Sequence, residues 1–146
     1  MNETILRFGY PETLVAEYRH WLVLLRPQQP TLGSLVLAAA GDFTSLADLP
    51  AAAFAELHRA VSDIERALGR AVAYSKINYL MLMMVDPHVH WHVIPRYEGC
   101  REAEGVAVVD KGWPKLPDLG AAVALAPVQV DALREWLRLH WPGSGE

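Results

Sequence analysis

The run Pro87-His88-Val89-His90-Trp91-His92-Val93-Ile94-Pro95 decides how this chain is read. Side chains alternate between the two faces of a strand. If the run is extended, His88, His90 and His92 share one face, and Val89, Trp91 and Val93 share the other. The second face is apolar and suits packing on a helix. The first is a poor choice for a core, because imidazole is costly to bury without partners. The chain has 6 histidines, and three of them stand here at two-residue spacing. Two chemistries compete for such a row. A neutral imidazole can attack phosphorus when its other nitrogen is held protonated by a backbone carbonyl. His90 is flanked on both sides and suits that role, with His88 and His92 as donors to phosphate oxygens. Alternatively, two histidines on one strand can share a zinc ion. That site would need a further ligand, for which Asp86, Glu98 and Cys100 are candidates.

Working outward, Asp86-Pro87 makes a turn, and the residues before it read as a long strand over roughly 74–82. Upstream stands the clearest helix, with Phe54, Leu57, Val61, Ile64 and Leu68 at three- and four-residue steps. Ser45 or Asp48 is its expected cap and Gly69 its expected stop. Trp21-Leu22-Val23-Leu24-Leu25 and Leu35-Val36-Leu37-Ala38-Ala39 read as two antiparallel strands, with Pro27, Pro30 and Gly33 turning the chain between them. Residues 12–20 read as a short helix or an irregular lead-in. Downstream, Pro95 ends the histidine strand and residues 106–109 suggest an edge strand. A last helix opens at Pro127, with Val130, Leu133, Trp136, Leu137 and Trp141 on its apolar face. Strands, helix, strands, helix is an α+β order: a mainly antiparallel sheet, one long helix packed on it, and a C-terminal helix.

The chain has 146 residues, 52% of them hydrophobic and 21% charged, which suits a single domain over 1–146. With 17 acidic and 13 basic residues its formal charge is −4, which argues against long nucleic acids as partners. No run is long enough for a membrane span, no signal peptide is evident, and a lone cysteine fits a cytoplasmic setting. The tail, residues 142–146, reads as frayed.

The triad and its surroundings resemble the histidine triad, or HIT, family. His88-Val89-His90-Trp91-His92-Val93-Ile94 matches the family signature, and Pro95-Arg96-Tyr97 follows as in many members. Pro30-Thr31-Leu32-Gly33-Ser34 is similar to the family's glycine turn, and Lys76-Ile77-Asn78 to the strand before the triad. The likeness spans roughly residues 20–97, with 98–146 as a C-terminal extension. The resemblance implies a HIT-like fold and a hydrolase or transferase of nucleoside phosphates. Its substrates would be dinucleoside polyphosphates, nucleoside phosphoramidates or adenylylated compounds. It assigns His90 as the residue that becomes covalently nucleotidylated, and His88 and His92 as its assistants. Asn78, Lys76, Ser34 and Arg96 would bind substrate. No cofactor or catalytic metal would be required, and the partners would be a small nucleotide and a second copy in a homodimer.

Three positions depart from the pattern. Many members have histidine where this chain has Ser34, and glutamine and serine where it has Met84 and Val85. A nucleotide-binding module with little turnover is therefore an alternative reading, beside a metal-binding protein built on the same strand.

Overall fold

In a computed structural model the described residues are 1–143. The elements in chain order are α1 (Glu3–Arg7), β1 (Leu14–Glu17), β2 (Trp21–Leu25), β3 (Gln28–Gln29), β4 (Leu35–Ala39), α2 (Ala51–Val72), β5 (Lys76–Leu80), β6 (His90–Arg96), β7 (Cys100–Ala103), β8 (Val106–Val109), β9 (Val123–Ala124) and α3 (Pro127–His140). Five strands form one sheet in the order β1-β2-β4-β6-β5, and each neighbouring pair is antiparallel. β7 with β8, and β3 with β9, make two small two-stranded sheets. No helix among the described residues is long and apolar enough to cross a membrane. Of the tail expected to fray, residues 144–146 lie outside the described residues.

Alternation along the strands splits the sheet into two different faces. Trp21, Val23 and Leu25 of β2, Leu35 and Leu37 of β4, and Val93 of β6 point into the main core, against α2 and α3. Leu22, Leu24, Val36 and Ala38 point the other way, onto Ile5 of α1. The histidines of β6 share this second face. The helices are seated by specific bonds as well as by apolar burial. The Trp21 indole N–H donates to the Ala53 carbonyl at 2.7 Å, and the Tyr18 hydroxyl donates to Asp63 at 2.7 Å while accepting from Trp141 at 3.0 Å.

The structure corrects several expectations. Residues 12–20 hold β1, an edge strand with an irregular register against β2, and the helix lies earlier, at Glu3–Arg7. Four residues on a sheet edge carry too short a pattern to be read in isolation. α2 has no side-chain cap; Pro50 precedes it, and residues Leu46–Asp48 form a short 3₁₀ turn of their own. The helix also passes through Gly69, because Val72 still has core to reach, and ends at Ala73 with φ 53. Its buried side is built from Ala53, Ala60, Ile64, Ala67, Leu68 and Val72, whereas Phe54 is exposed. Small alanines let the helix approach the sheet closely. β5 is shorter than expected, and residues 106–109 pair with β7 as a hairpin. Its turn, Glu104-Gly105, has positive φ at both positions (51 and 75), the geometry that matches strand twist.

β6 runs from His90 to Arg96, two residues later than the sequence suggests at both ends. Pro95 lies inside it, opposite Ile77 of β5, in a stretch where β4 has already ended. Proline is tolerated where one side of a strand has no ladder to complete.

Just past β6, the buried Tyr97 hydroxyl accepts from the Leu32 amide at 2.8 Å and donates to the Val108 carbonyl at 2.7 Å. It therefore ties the Gly33 turn to the β7–β8 hairpin. Tyr97→Phe orphans both backbone groups and is expected to cost about 1–3 kcal/mol. Equilibrium urea unfolding measures it; an unchanged midpoint would mean the two backbone groups find other partners.

Candidate active site

His90 is 1% exposed, and its Nδ1 stands 2.6 Å from the His88 carbonyl oxygen. A carbonyl can only accept, so Nδ1 carries the proton. The lone pair is then on Nε2. This is the arrangement that a nucleophilic imidazole needs. It depends on His88 lying outside the ladder, since β6 begins only at His90.

His88 is held from another direction. The buried Thr4 hydroxyl of α1 accepts from the His88 backbone N–H at 3.3 Å and lies 3.0 Å from His88 Nδ1. The hydroxyl proton can then go to Nδ1, which leaves His88 with its N–H on Nε2. His92 reaches the same tautomer by a different route. The Arg26 Nε–H donates to its Nδ1 at 3.3 Å. Burial, the Arg26 charge and the neighbouring His90 push the His92 pKa down to about 4 from 6.5. His92 is thus neutral at pH 7 and offers an Nε2–H.

His90 and His92 meet edge to face, with ring centroids 5.1 Å apart. Phe8, just past α1, lies 5.6 Å from one and 5.8 Å from the other. A cavity of about 240 Å³ lies on the apolar face around Trp91, but the one at the triad is separate, at about 230 Å³. Its walls include Phe8, Arg26, Asp86, His90 and His92, and Leu82 to Val85 form its apolar rim. Met84 and Val85 are 86% and 82% exposed there. Asp86 is engaged by Arg7 at 2.9 Å.

A larger cavity of about 550 Å³ runs along β5 and includes Lys76, Asn78, Leu80, Arg96 and Trp113 in its lining. The register places it beside the triad: Leu80 lies opposite His92, Asn78 opposite Ile94, and Lys76 opposite Arg96. Arg96 is occupied, with two bonds to buried Asp110 (2.7 and 3.1 Å) and one to the Asn78 side-chain oxygen (2.9 Å). Ser34 lines neither cavity. It is fully buried in its turn, where its hydroxyl donates to the Thr31 carbonyl at 2.8 Å.

The structure therefore gathers His90 and His92 around one cavity, whereas His88 is held by Thr4 of α1 and is not among the residues lining it. Asn78, Lys76 and Arg96 fall along the adjoining one. Among the described residues, no group of three or more His, Cys, Asp or Glu is arranged to hold a metal ion. Arg26, Thr4 and Phe8 escaped the sequence reading. Arg26 sits 66 residues from its histidine and Thr4 sits 84 from its own, so no local spacing could pair them.

The model of the HIT domain matches residues 10–99 of this chain. Solved structures agree in fold. A histidine triad protein of Sinorhizobium meliloti 1021 is 20% identical, covering 96% of this chain and 95% of its own, with a TM-score of 0.74. One from Bradyrhizobium japonicum is also 20% identical, over 97% and 96%, at 0.72. A hypothetical histidine triad nucleotide-binding protein of Sulfolobus tokodaii strain 7 is 18% identical, over 92% and 87%, at 0.65. No curated protein sequence matches the chain.

The His92 environment predicts a pH effect of definite sign. Its native pKa lies below its unfolded one, so the unfolded chain binds more protons between about pH 4 and 6.5. Stability contributed at neutral pH is lost as the pH falls through that window, by on the order of 3 kcal/mol. Histidine NMR titration should place the His92 midpoint near 4, and a midpoint at 6 or above would contradict the described burial.

Proposed function

The chain belongs to the HIT family, and from that premise we propose that it hydrolyses or transfers nucleoside phosphates through a covalent nucleotidyl-histidine on His90. One observation carries the proposal: the 2.6 Å bond that fixes the His90 proton on Nδ1. His90 Nε2 attacks the phosphorus next to the nucleoside. As the N–P bond forms, the bond to the leaving group breaks and its electron pair departs with that group. The Nε2–H groups of His88 and His92 donate to the phosphoryl oxygens, whose charge is stabilised in the transition state. Water then attacks the same phosphorus and loses a proton to solvent, the N–P bond breaks with its electron pair returning to Nε2, and His90 is back in its starting tautomer. Another acceptor in place of water would give transfer.

Leaving-group chemistry narrows the substrate class. An amine must be protonated to depart, whereas a polyphosphate leaves as a stabilised anion. Met84 and Val85, at the exposed rim, bring no side-chain proton donor. Dinucleoside polyphosphates therefore fit this site better than phosphoramidates. The same two residues favour a second reading, a nucleotide-binding module with little turnover. Neither scheme draws on a cofactor. β5 is the last strand of the sheet, so a homodimer can form by pairing along it.

Incubation with diadenosine tetraphosphate labelled at the phosphorus next to adenosine should give turnover and an acid-labile label on the protein. His90→Asn should lower turnover by at least about a thousandfold and remove the label. Absence of both turnover and label in the wild type, with nucleotide still protecting against thermal unfolding, would replace catalysis with the binding-module reading.

A further inference from the structure

Arg26 is a cation without a counter-ion in the wall of the triad cavity. Its backbone is fixed by hydrogen bonds to Ser34 and Gln29. Its side chain spends Nε on His92 and Nη1 on the Gln28 carbonyl, at 2.8 Å. Nη2 has no hydrogen-bond partner among the described residues, and it is not sealed from solvent. No carboxylate lies within ion-pair distance among the described residues, in contrast to Arg7 and Arg96, which hold Asp86 and Asp110. Burial lowers the Arg26 pKa, the mark of a charge stripped of water without compensation. The other charged residue lining this cavity, Asp86, is paired with Arg7 outside it. The net electrostatic character of the wall is therefore one positive charge, in a chain whose formal charge is −4.

An unpaired, partly buried guanidinium is a receptor for an anion, and its fork suits phosphate oxygens. Its position says which phosphate. Arg26 touches His92, not His90, whose ring lies 5.1 Å further on. In the proposed mechanism, the oxygens of a phosphorus on His90 Nε2 are taken by the N–H groups of His88 and His92. The guanidinium meets charge beyond them.

We propose that Arg26 makes the triad cavity selective for nucleotides that carry a second phosphate group. That group is either the next phosphate of a polyphosphate chain or a phosphate ester on the ribose. The proposal rests on the nucleotide reading of the site, but it concerns binding and not turnover.

Calorimetric titration of the full chain tests it, with AMP, ADP and adenosine 3′,5′-bisphosphate as probes and the matching guanosine series alongside. The wild type should bind one of the doubly phosphorylated probes at least about tenfold more tightly than the monophosphate. ADP in that place identifies the chain phosphate, and the bisphosphate identifies the ribose ester. Arg26→Gln, which also takes a partner from His92, should erase the preference by weakening the doubly phosphorylated probe about tenfold more than the monophosphate, and Arg26→Lys should keep part of it. Thermal unfolding checks that both variants fold. If Arg26→Gln does not, the wild-type preference and its reduction in Arg26→Lys decide. Equal wild-type affinity for all three probes overturns the proposal, as does an equal loss for all three in Arg26→Gln, or no binding of any probe. A protein that shows the preference but never labels His90 would lose the catalytic reading and keep this one.

Discussion

The hydrogen bond from His90 Nδ1–H to the His88 carbonyl, at 2.6 Å, is the constraint on which the site depends. It exists because two features of the fold meet. β6 starts at His90, so the carbonyl two residues earlier is free of the ladder. The segment before it is nevertheless held in place. The Val89 amide donates to Phe43, the Val89 carbonyl accepts from Ala39, and Thr4 secures His88. A strand that began at His88 would have offered that carbonyl to a neighbouring strand instead. Beside it, β2 and β4 are buried on both faces, against α2 and α3 on one side and against α1 on the other.

The triad is one row in sequence but three environments in space. His90 is oriented by a backbone carbonyl, His88 by a hydroxyl, and His92 by a guanidinium. Each partner fixes a tautomer. Two of them turn Nε2 into a donor and one leaves it as a nucleophile. Burial then keeps His92 neutral, so that it can donate to phosphate without taking up a proton at physiological pH. The short N-terminal helix is part of this machinery. It supplies Thr4 and stands just before Phe8, which packs on two of the three rings.

Alternation made the histidine face legible in the sequence, and 3.6-residue periodicity did the same for α2 and α3. Both are local patterns, and both survive in the fold. What sequence could not show was long-range partnership. Arg96 reads as a free cation beside the triad strand, yet Asp110, fourteen residues on, claims it in a buried pair. Ser34 reads as a phosphate ligand, yet its hydroxyl is absorbed by its own turn. Arg26 belongs to no local pattern, yet it stands against His92. Element ends were misread for a related reason. Gly69 permits a helix stop but does not impose one, and packing of Val72 carried the helix onward.

The tautomer of His90 is the point on which the chemistry turns, and it can be observed directly. A long-range ¹⁵N–¹H correlation spectrum of the histidine side chains at neutral pH, with His90→Asn for assignment, reports which ring nitrogen carries the proton. The predicted result is a protonated Nδ1 and an unprotonated Nε2 on His90. A proton on Nε2, or an imidazolium at neutral pH, would leave His90 without its lone pair and would contradict its role as the nucleophile.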